Sequence, residues 1–139
     1  MKYTLLFITA ILSLSACKKD KFSTVALPSE YIDNDWEAAK IESARTNKPI
    51  LIDFYASWCQ LCTDMKEETF KDPTVFEYHK NNYVTVFIDV EKGVGIQLGK
   101  DYNAKHLNQV ILNKDLSLRA KRAGKVPPDF FLKWLTDNE

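Results

Sequence analysis

The sequence lacks an excess of either charge: 19 Lys and Arg stand against 19 Asp and Glu. Nucleic-acid grooves and polybasic membrane patches need clustered positive charge, so the balance argues against both. There is no long Pro, Gly or Ser tract and no internal repeat, which sets aside low-complexity and solenoid architectures. No apolar run reaches the about 20 residues that a helix needs to cross a bilayer. Histidine is scarce at two residues, and cysteine nearly so at three. A tetrahedral metal site takes four ligands. Only His79 and His106 could join the single close cysteine pair, so no metal is expected. What remains is 139 residues, 45% hydrophobic and 27% charged, the size and mixture of one globular domain.

The N-terminus reads as an address. Lys2 precedes an apolar run from Tyr3 to Leu14, the length of a signal-peptide core. The segment Leu14-Ser15-Ala16-Cys17 resembles the lipobox of bacterial lipoproteins, in which the cysteine thiol carries the lipid and becomes the first residue. An ordinary signal peptide cut near Ala16, with a chance cysteine, is the alternative, and both imply export. Residues 1–16 are thus expected to be a lipoprotein signal peptide, residues 17–30 a lipidated tether and residues 31–139 the domain. Lipid on Cys17 also accounts for the odd cysteine.

Within the domain, Asp35 to Thr46 reads as a helix capped by Asp35 or Asn34 and broken at Asn47-Lys48-Pro49. Ile50 to Tyr55 is a short, almost wholly apolar run, the pattern of a strand buried on both faces. Cys59 to Phe70 reads as helical. A further helix starts at Asp72-Pro73 and runs through Lys80. Tyr83 to Val90 is a second strand, and a short helix falls between Gly93 and Tyr102. Val110 to Leu112 and Leu116 to Lys121 form a hairpin around Asn113-Lys114-Asp115. The last helix follows Pro127-Pro128, with Phe131, Trp134 and Leu135 on one face. This alternation predicts an α/β layer fold with a mixed sheet whose last two strands are antiparallel. Trp36 and Trp134 are read as packing residues, Lys66-Glu67-Glu68 as a solvated face and His79 as a surface helix residue.

Ser57-Trp58-Cys59-Gln60-Leu61-Cys62 follows a buried strand and opens a helix. Thiols three positions apart on a first turn can close a disulfide. The free N–H groups and positive dipole end of the helix stabilise a thiolate on Cys59, the attacking species in disulfide exchange. Cys62, one turn in, suits the resolving role. Asp53 lies within the apolar run, on one face with Leu51 and Tyr55. Buried there, it is expensive to ionise and is expected to titrate high, ready to take a proton from Cys62. The alternative is a capped or solvated Asp53 at a frayed strand end.

The run DFYASWCQLC resembles the signature of the thioredoxin-like family. The continuation KEETFKDPTVFEY is similar to the C-terminal reductase domain of the thiol:disulfide interchange proteins, DsbD. VFIDVEKG, Tyr102-Asn103-Ala104-Lys105 and Gly124 also look like the family. The resemblance runs from about Asp35 to the end. It implies a thioredoxin fold with a central mixed four- to five-stranded sheet flanked by helices. It further implies Cys59 as nucleophile, Cys62 as resolving thiol, Asp53 as buried acid and Trp58 as a packing and docking residue, with Gln60 and Leu61 between the cysteines. A membrane thiol carrier as electron donor and exported disulfide proteins as substrates are implied as well. The family places a cis-proline where this chain has Leu107-Asn108, since no proline occurs between Thr74 and Val126. Leu107–Asn108 is therefore expected to be trans, with the Asn108 side chain and N–H adding donors near sulfur. Thr85 stands where many thioredoxins carry a lysine near the buried acid.

The expected function is that of an exported, membrane-anchored thiol-disulfide oxidoreductase in the bacterial cell envelope. It is read as a disulfide reductase with no cofactor beyond its own Cys59–Cys62 disulfide and no nucleic-acid partner. The alternative is a non-catalytic thioredoxin-fold binding module or chaperone-like lipoprotein.

Overall fold

A computed structural model describes residues 26–139. The signal peptide assigned to residues 1–16, Cys17 and most of the tether lie outside the described residues. The elements run β1 (Ile32–Asp33), α1 (Trp36–Thr46), β2 (Ile50–Tyr55), α2 (Gln60–Asp64) and a π-helical continuation (Met65–Phe70). They go on as α3 (Pro73–Asn82), β3 (Val84–Asp89), α4 (Val94–Asp101), β4 (Asn108–Leu112), β5 (Leu118–Ala123) and α5 (Pro128–Thr136). The described residues form one five-stranded sheet in the order β1-β3-β2-β4-β5. β1, β3 and β2 are parallel, and β4 and β5 follow antiparallel. This is the thioredoxin fold, with the mixed sheet that the sequence implies.

Local chemistry sets the helix limits. The Asp35 carboxylate accepts from Ala38 N at 2.9 Å, and Asn47, in a left-handed conformation at φ 57°, ends α1. Asp72 caps α3 by accepting from Thr74 N and Val75 N, with Pro73 in the first turn. The central strands β2 and β3 are buried along their whole length. One sheet face packs Ile50, Ile52, Phe54, Val86 and Ile88 against Trp36 and Ala39 of α1 and Leu98 of α4. The other packs Leu51, Tyr55, Phe87 and Ile111 against Cys62, Met65, Phe70, Val75, Phe131 and Leu135. A strand buried on both faces loses the alternation that marks strands elsewhere, which is why β2 and β3 read as continuous apolar runs.

Three readings are corrected. β1 is only two residues long and carries no periodic signal; it is added at the edge by pairing of Ile32 with Val86 and Asp33 with Phe87. The second hairpin strand starts at Leu118, because Leu116 occupies the turn at φ 67°. His79 is no surface residue: it is 1% exposed. Its Nε2 lies 3.0 Å from the Tyr31 hydroxyl and its Nδ1 3.0 Å from Thr85 Oγ1. Tyr31 spends its one hydroxyl proton on the Phe70 carbonyl at 2.6 Å. His79 Nε2 must then be the donor to Tyr31, and Nδ1 the acceptor from Thr85, the neutral imidazole.

Burial holds the His79 pKa down at about 3. The unfolded chain, with an ordinary value near 6.5, therefore binds the extra proton first as pH falls. His79 stabilises the fold above that ordinary value, and the contribution is lost as pH drops from it. Urea unfolding should show wild type losing about 2 kcal/mol more than His79→Gln between pH 7 and pH 5. Equal losses would mean that His79 is not held neutral.

Candidate active site

Cys59 is the N-cap of α2, with φ −79° and ψ 104°, and its N–H donates to Ala56 O at 2.9 Å. Cys59 and Cys62 are joined in a disulfide, their Cα atoms 5.3 Å apart. Cys62 N donates to Cys59 Sγ at 3.2 Å. A backbone N–H of the first turn thus points at the first sulfur, the arrangement that favours negative charge there. Both cysteines are buried in the oxidised protein, Cys59 at 6% exposure and Cys62 fully.

Asp53 is 0% exposed, in the middle of β2 and between its partners Phe87 on β3 and Gln109 on β4. This removes the alternative of a solvated strand end. Its Oδ1 accepts from Gln109 Nε2 at 2.7 Å, and its Oδ2 has no hydrogen-bond partner among the described residues. Loss of hydration pushes the carboxyl up to about 7. The Gln109 bond and the Arg122 and Lys66 charges oppose that rise without cancelling it.

Lys66 is the largest departure from the sequence reading. Expected on a solvated face, it is 2% exposed, with Nζ 5.8 Å from the centroid of the Phe87 ring. The cause is the π-helical stretch. Its wider turn brings Met65, Lys66, Thr69 and Phe70 all inward, where an α-helix presents a narrower stripe. Glu67 and Glu68 do face solvent, paired with Lys71 and Lys125. Burial lowers the Lys66 pKa, and the Asp33 and Asp53 carboxylates oppose that shift. Thr85, in the position expected to bear a lysine, binds His79 instead. The cations whose charge reaches Asp53 come from the helix through Lys66 and from β5 through Arg122.

Around the disulfide, Trp58 is 60% exposed and Leu61 53% exposed. Trp58 Nε1 donates to Glu91 Oε2 at 3.0 Å, and its ring meets that of His106 with centroids 4.7 Å apart. Gln60 is exposed and donates to Asp64 Oδ1 at 2.8 Å. Leu107 packs against the cluster that contains both cysteines. The Leu107–Asn108 bond is trans, and Leu107 sits at φ 60°, a conformation that costs a branched side chain energy. Leu107 N donates to Phe54 O at 2.6 Å, and Leu107 O accepts from Gly124 N at 2.9 Å. Asn108 N donates to Lys105 O at 3.2 Å, and its Oδ1 accepts from Lys105 N at 3.0 Å. The expectation that the Asn108 N–H adds a donor near sulfur is thereby corrected: the loop uses it.

Sequence reasoning missed Gln109, Arg122 and Lys66. Gln109 had a signal, a polar residue inside Asn108-Gln109-Val110-Ile111-Leu112, which the β2–β4 register sets opposite Asp53. Among the described residues no cluster of three or more His, Cys, Asp or Glu could hold a metal, and no helix is long and apolar enough to cross a membrane.

A family model described as Thioredoxin-like matches residues 31–113. The thiol:disulfide interchange protein DsbD of Campylobacter jejuni is 32% identical over 110 residues, 78% of this chain and 19% of that protein. This chain thus spans about a fifth of that relative. A thioredoxin of Mycoplasmoides gallisepticum is 29% identical over 101 residues, 70% of this chain and 90% of the relative. Among solved structures, the reduced C-terminal domain of Neisseria meningitidis DsbD superposes with a TM-score of 0.63 at 27% identity, covering 78% of this chain and all of that one. A thioredoxin from Thermus thermophilus, covering 78% of this chain and 86% of its own, reaches 0.69 at 19% identity, a likeness of fold. The family match takes in β1 through β4 and both cysteines of the helix-capping pair, and the chain belongs to the thioredoxin-like family.

Proposed function

We propose that this thioredoxin-like thiol-disulfide oxidoreductase works as an exported, membrane-anchored disulfide reductase. The observation that carries the reading is the cysteine pair capping α2 in one cluster with a buried sheet whose carboxyl, Asp53, is held in a protonatable state. In the reduced protein the Cys59 thiolate attacks a substrate disulfide, forming a Cys59–substrate bond and releasing one substrate thiolate. Cys62 passes its proton to Asp53, attacks Cys59 Sγ and releases the second substrate thiolate. The cysteine pair loses two electrons and the substrate gains them. A second dithiol, such as a membrane thiol carrier of the kind the interchange-protein resemblance implies, must return them. Lipid on Cys17, a tether through residue 30 and a domain from residue 31 would keep that exchange at an envelope membrane, with exported disulfide proteins as substrates.

A second reading, a non-catalytic binding module, draws on one observation. Both backbone groups of Leu107, beside the disulfide, are already engaged by Phe54 and Gly124. Turnover of a disulfide protein with a small-thiol reductant separates the two readings. A binder gives no rate above the thiol alone.

In the reduced protein Cys59 should alkylate faster than Cys62, with a pKa below the ~8.5 of an ordinary thiol. Cys62→Ser should accumulate mixed disulfides through Cys59. Faster labelling at Cys62, read by mass spectrometry across pH, would reverse the two roles.

Asp53→Asn should slow turnover at pH 7 on the order of 10²-fold. It should also stabilise the oxidised protein. The native carboxyl holds its proton more tightly than the unfolded one, so the wild type loses stability as pH rises from the ordinary carboxylate range to about 7. The gain from Asp53→Asn should be negligible near pH 3.5 and reach several kcal/mol by pH 8, at about 1.4 kcal/mol per pH unit. A gain independent of pH would show that Asp53 is not displaced.

Cys17→Ser should release the protein from membrane to soluble fraction or stop its processing. A soluble wild type with an unmodified Cys17 would refute the anchor while leaving the chemistry intact.

A further inference from the structure

The interior of the β2–β4–β5 corner holds a polar chain that disulfide exchange as described does not use. Gln109 is wholly buried and stands opposite Asp53. Its Nε2 donates to Asp53 Oδ1 at 2.7 Å, and its Oε1 accepts from Arg122 Nη1. Arg122 is itself fixed. It donates to Gly124 O at 2.9 Å and to Ala123 O at 3.3 Å, and its guanidinium lies 5.9 Å from the Phe131 ring and 5.8 Å from the Trp134 ring. A guanidinium has donors and no acceptor. The Gln109 amide oxygen must therefore face Arg122, and its N–H must face Asp53. Oδ1 is then committed as an acceptor, and a proton arriving at the carboxyl can only sit on Oδ2, the oxygen with no hydrogen-bond partner among the described residues.

We propose that Gln109, oriented by Arg122, is a positioning residue that makes Oδ2 of Asp53 the atom that receives the Cys62 proton. The proposal rests on the reading of Asp53 as the base for Cys62. The step balances: the Cys62 S–H bond breaks, an Oδ2–H bond forms, the Cys59–Cys62 bond forms and the Cys59–substrate bond breaks, with its electron pair leaving on the substrate sulfur. The charged groups whose field reaches Asp53 are Arg122 from β5 and Lys66 from the π-helical stretch, with Asp33 acting on Lys66, and the cysteine pair packs in one cluster with Leu51 and Tyr55, two positions either side of Asp53 on β2. Gln109 itself carries no charge. Its effect is therefore separable: its N–H favours the ionised carboxylate, and removing it raises the Asp53 pKa.

The test is a titration of the Asp53 carboxyl carbon by NMR in the full oxidised chain, beside the pH profile of mixed-disulfide resolution in single turnover. Gln109→Met, similar in volume, should move both inflections up by about one pH unit and slow resolution about tenfold on the acid side, with the deficit shrinking toward pH 9. Arg122→Met should move them in the same direction and Arg122→Lys should restore them. Arg122→Met combined with Gln109→Met should shift further than Gln109→Met alone, through the lost charge, but by less than the sum of the two single shifts. If Gln109→Met does not fold, Gln109→Leu and the Arg122 pair give the same readout. An unmoved Asp53 titration in a folded Gln109 variant overturns the proposal. Additive shifts in the double variant mean that Arg122 acts by charge alone and overturn the orienting role. A wild-type resolution rate in Asp53→Asn overturns instead the reading of Asp53 on which the proposal rests.

Discussion

A carboxyl group sits in the middle of the central strand, and much of this corner of the molecule answers to it. An isolated buried carboxylate costs several kcal/mol, so a strand that keeps one must give it partners or keep it protonated. β2 does some of each. Gln109 supplies one hydrogen bond, and two cations lie near enough to be felt, yet the group still titrates near neutrality. The sheet order makes this possible. Flanked by β3 and β4, β2 shields Asp53 from water, while β4 and β5 bring a neutral amide and then a guanidinium toward it in succession.

The helix that carries the cysteines is shaped by the same requirement. Its α-helical turn ends at Asp64, and a π-helical stretch follows, which turns Lys66 inward without displacing Met65 or Phe70 from the core. A lysine there is itself costly, and its pKa is pulled down by burial. The cost is offset by two carboxylates, Asp33 from the edge strand and Asp53 from the centre. The opposing loop meets the disulfide differently from the family pattern. Leu107 takes a left-handed conformation and spends its backbone groups on Phe54 and Gly124, while Asn108 closes a turn on Lys105.

Much of the architecture was legible because apolar runs and turn residues mark it directly. β2 and β3 announce themselves as continuous apolar segments, and Asp72-Pro73 names the start of α3. The redox pair and Asp53 were legible because residue type, spacing and burial together leave few other uses for them. What escaped depends on through-space neighbours. His79 reads as a polar helix residue until Tyr31 and Thr85 are folded around it. Lys66 sits in a charged triplet, and only a change of helical period turns it inward. Gln109 becomes meaningful once the hairpin register sets it opposite Asp53. Arg122 lies in a strand whose residues alternate between exposure and partial burial, so nothing local separates it from its neighbours.

The seat of Arg122 against the stacked Phe131 and Trp134 rings ties the frame around the cysteines to α5. Synthesis delivers Asp53, Cys59 and Cys62 long before α5. During that interval the thiols exist while the aromatic seat for the guanidinium does not, and Arg122 must orient the Gln109 amide without it. A single domain folds largely as a unit. Any partial chain that lacks α5 therefore displays its cysteines within an unfinished electrostatic frame, and α5 completes it.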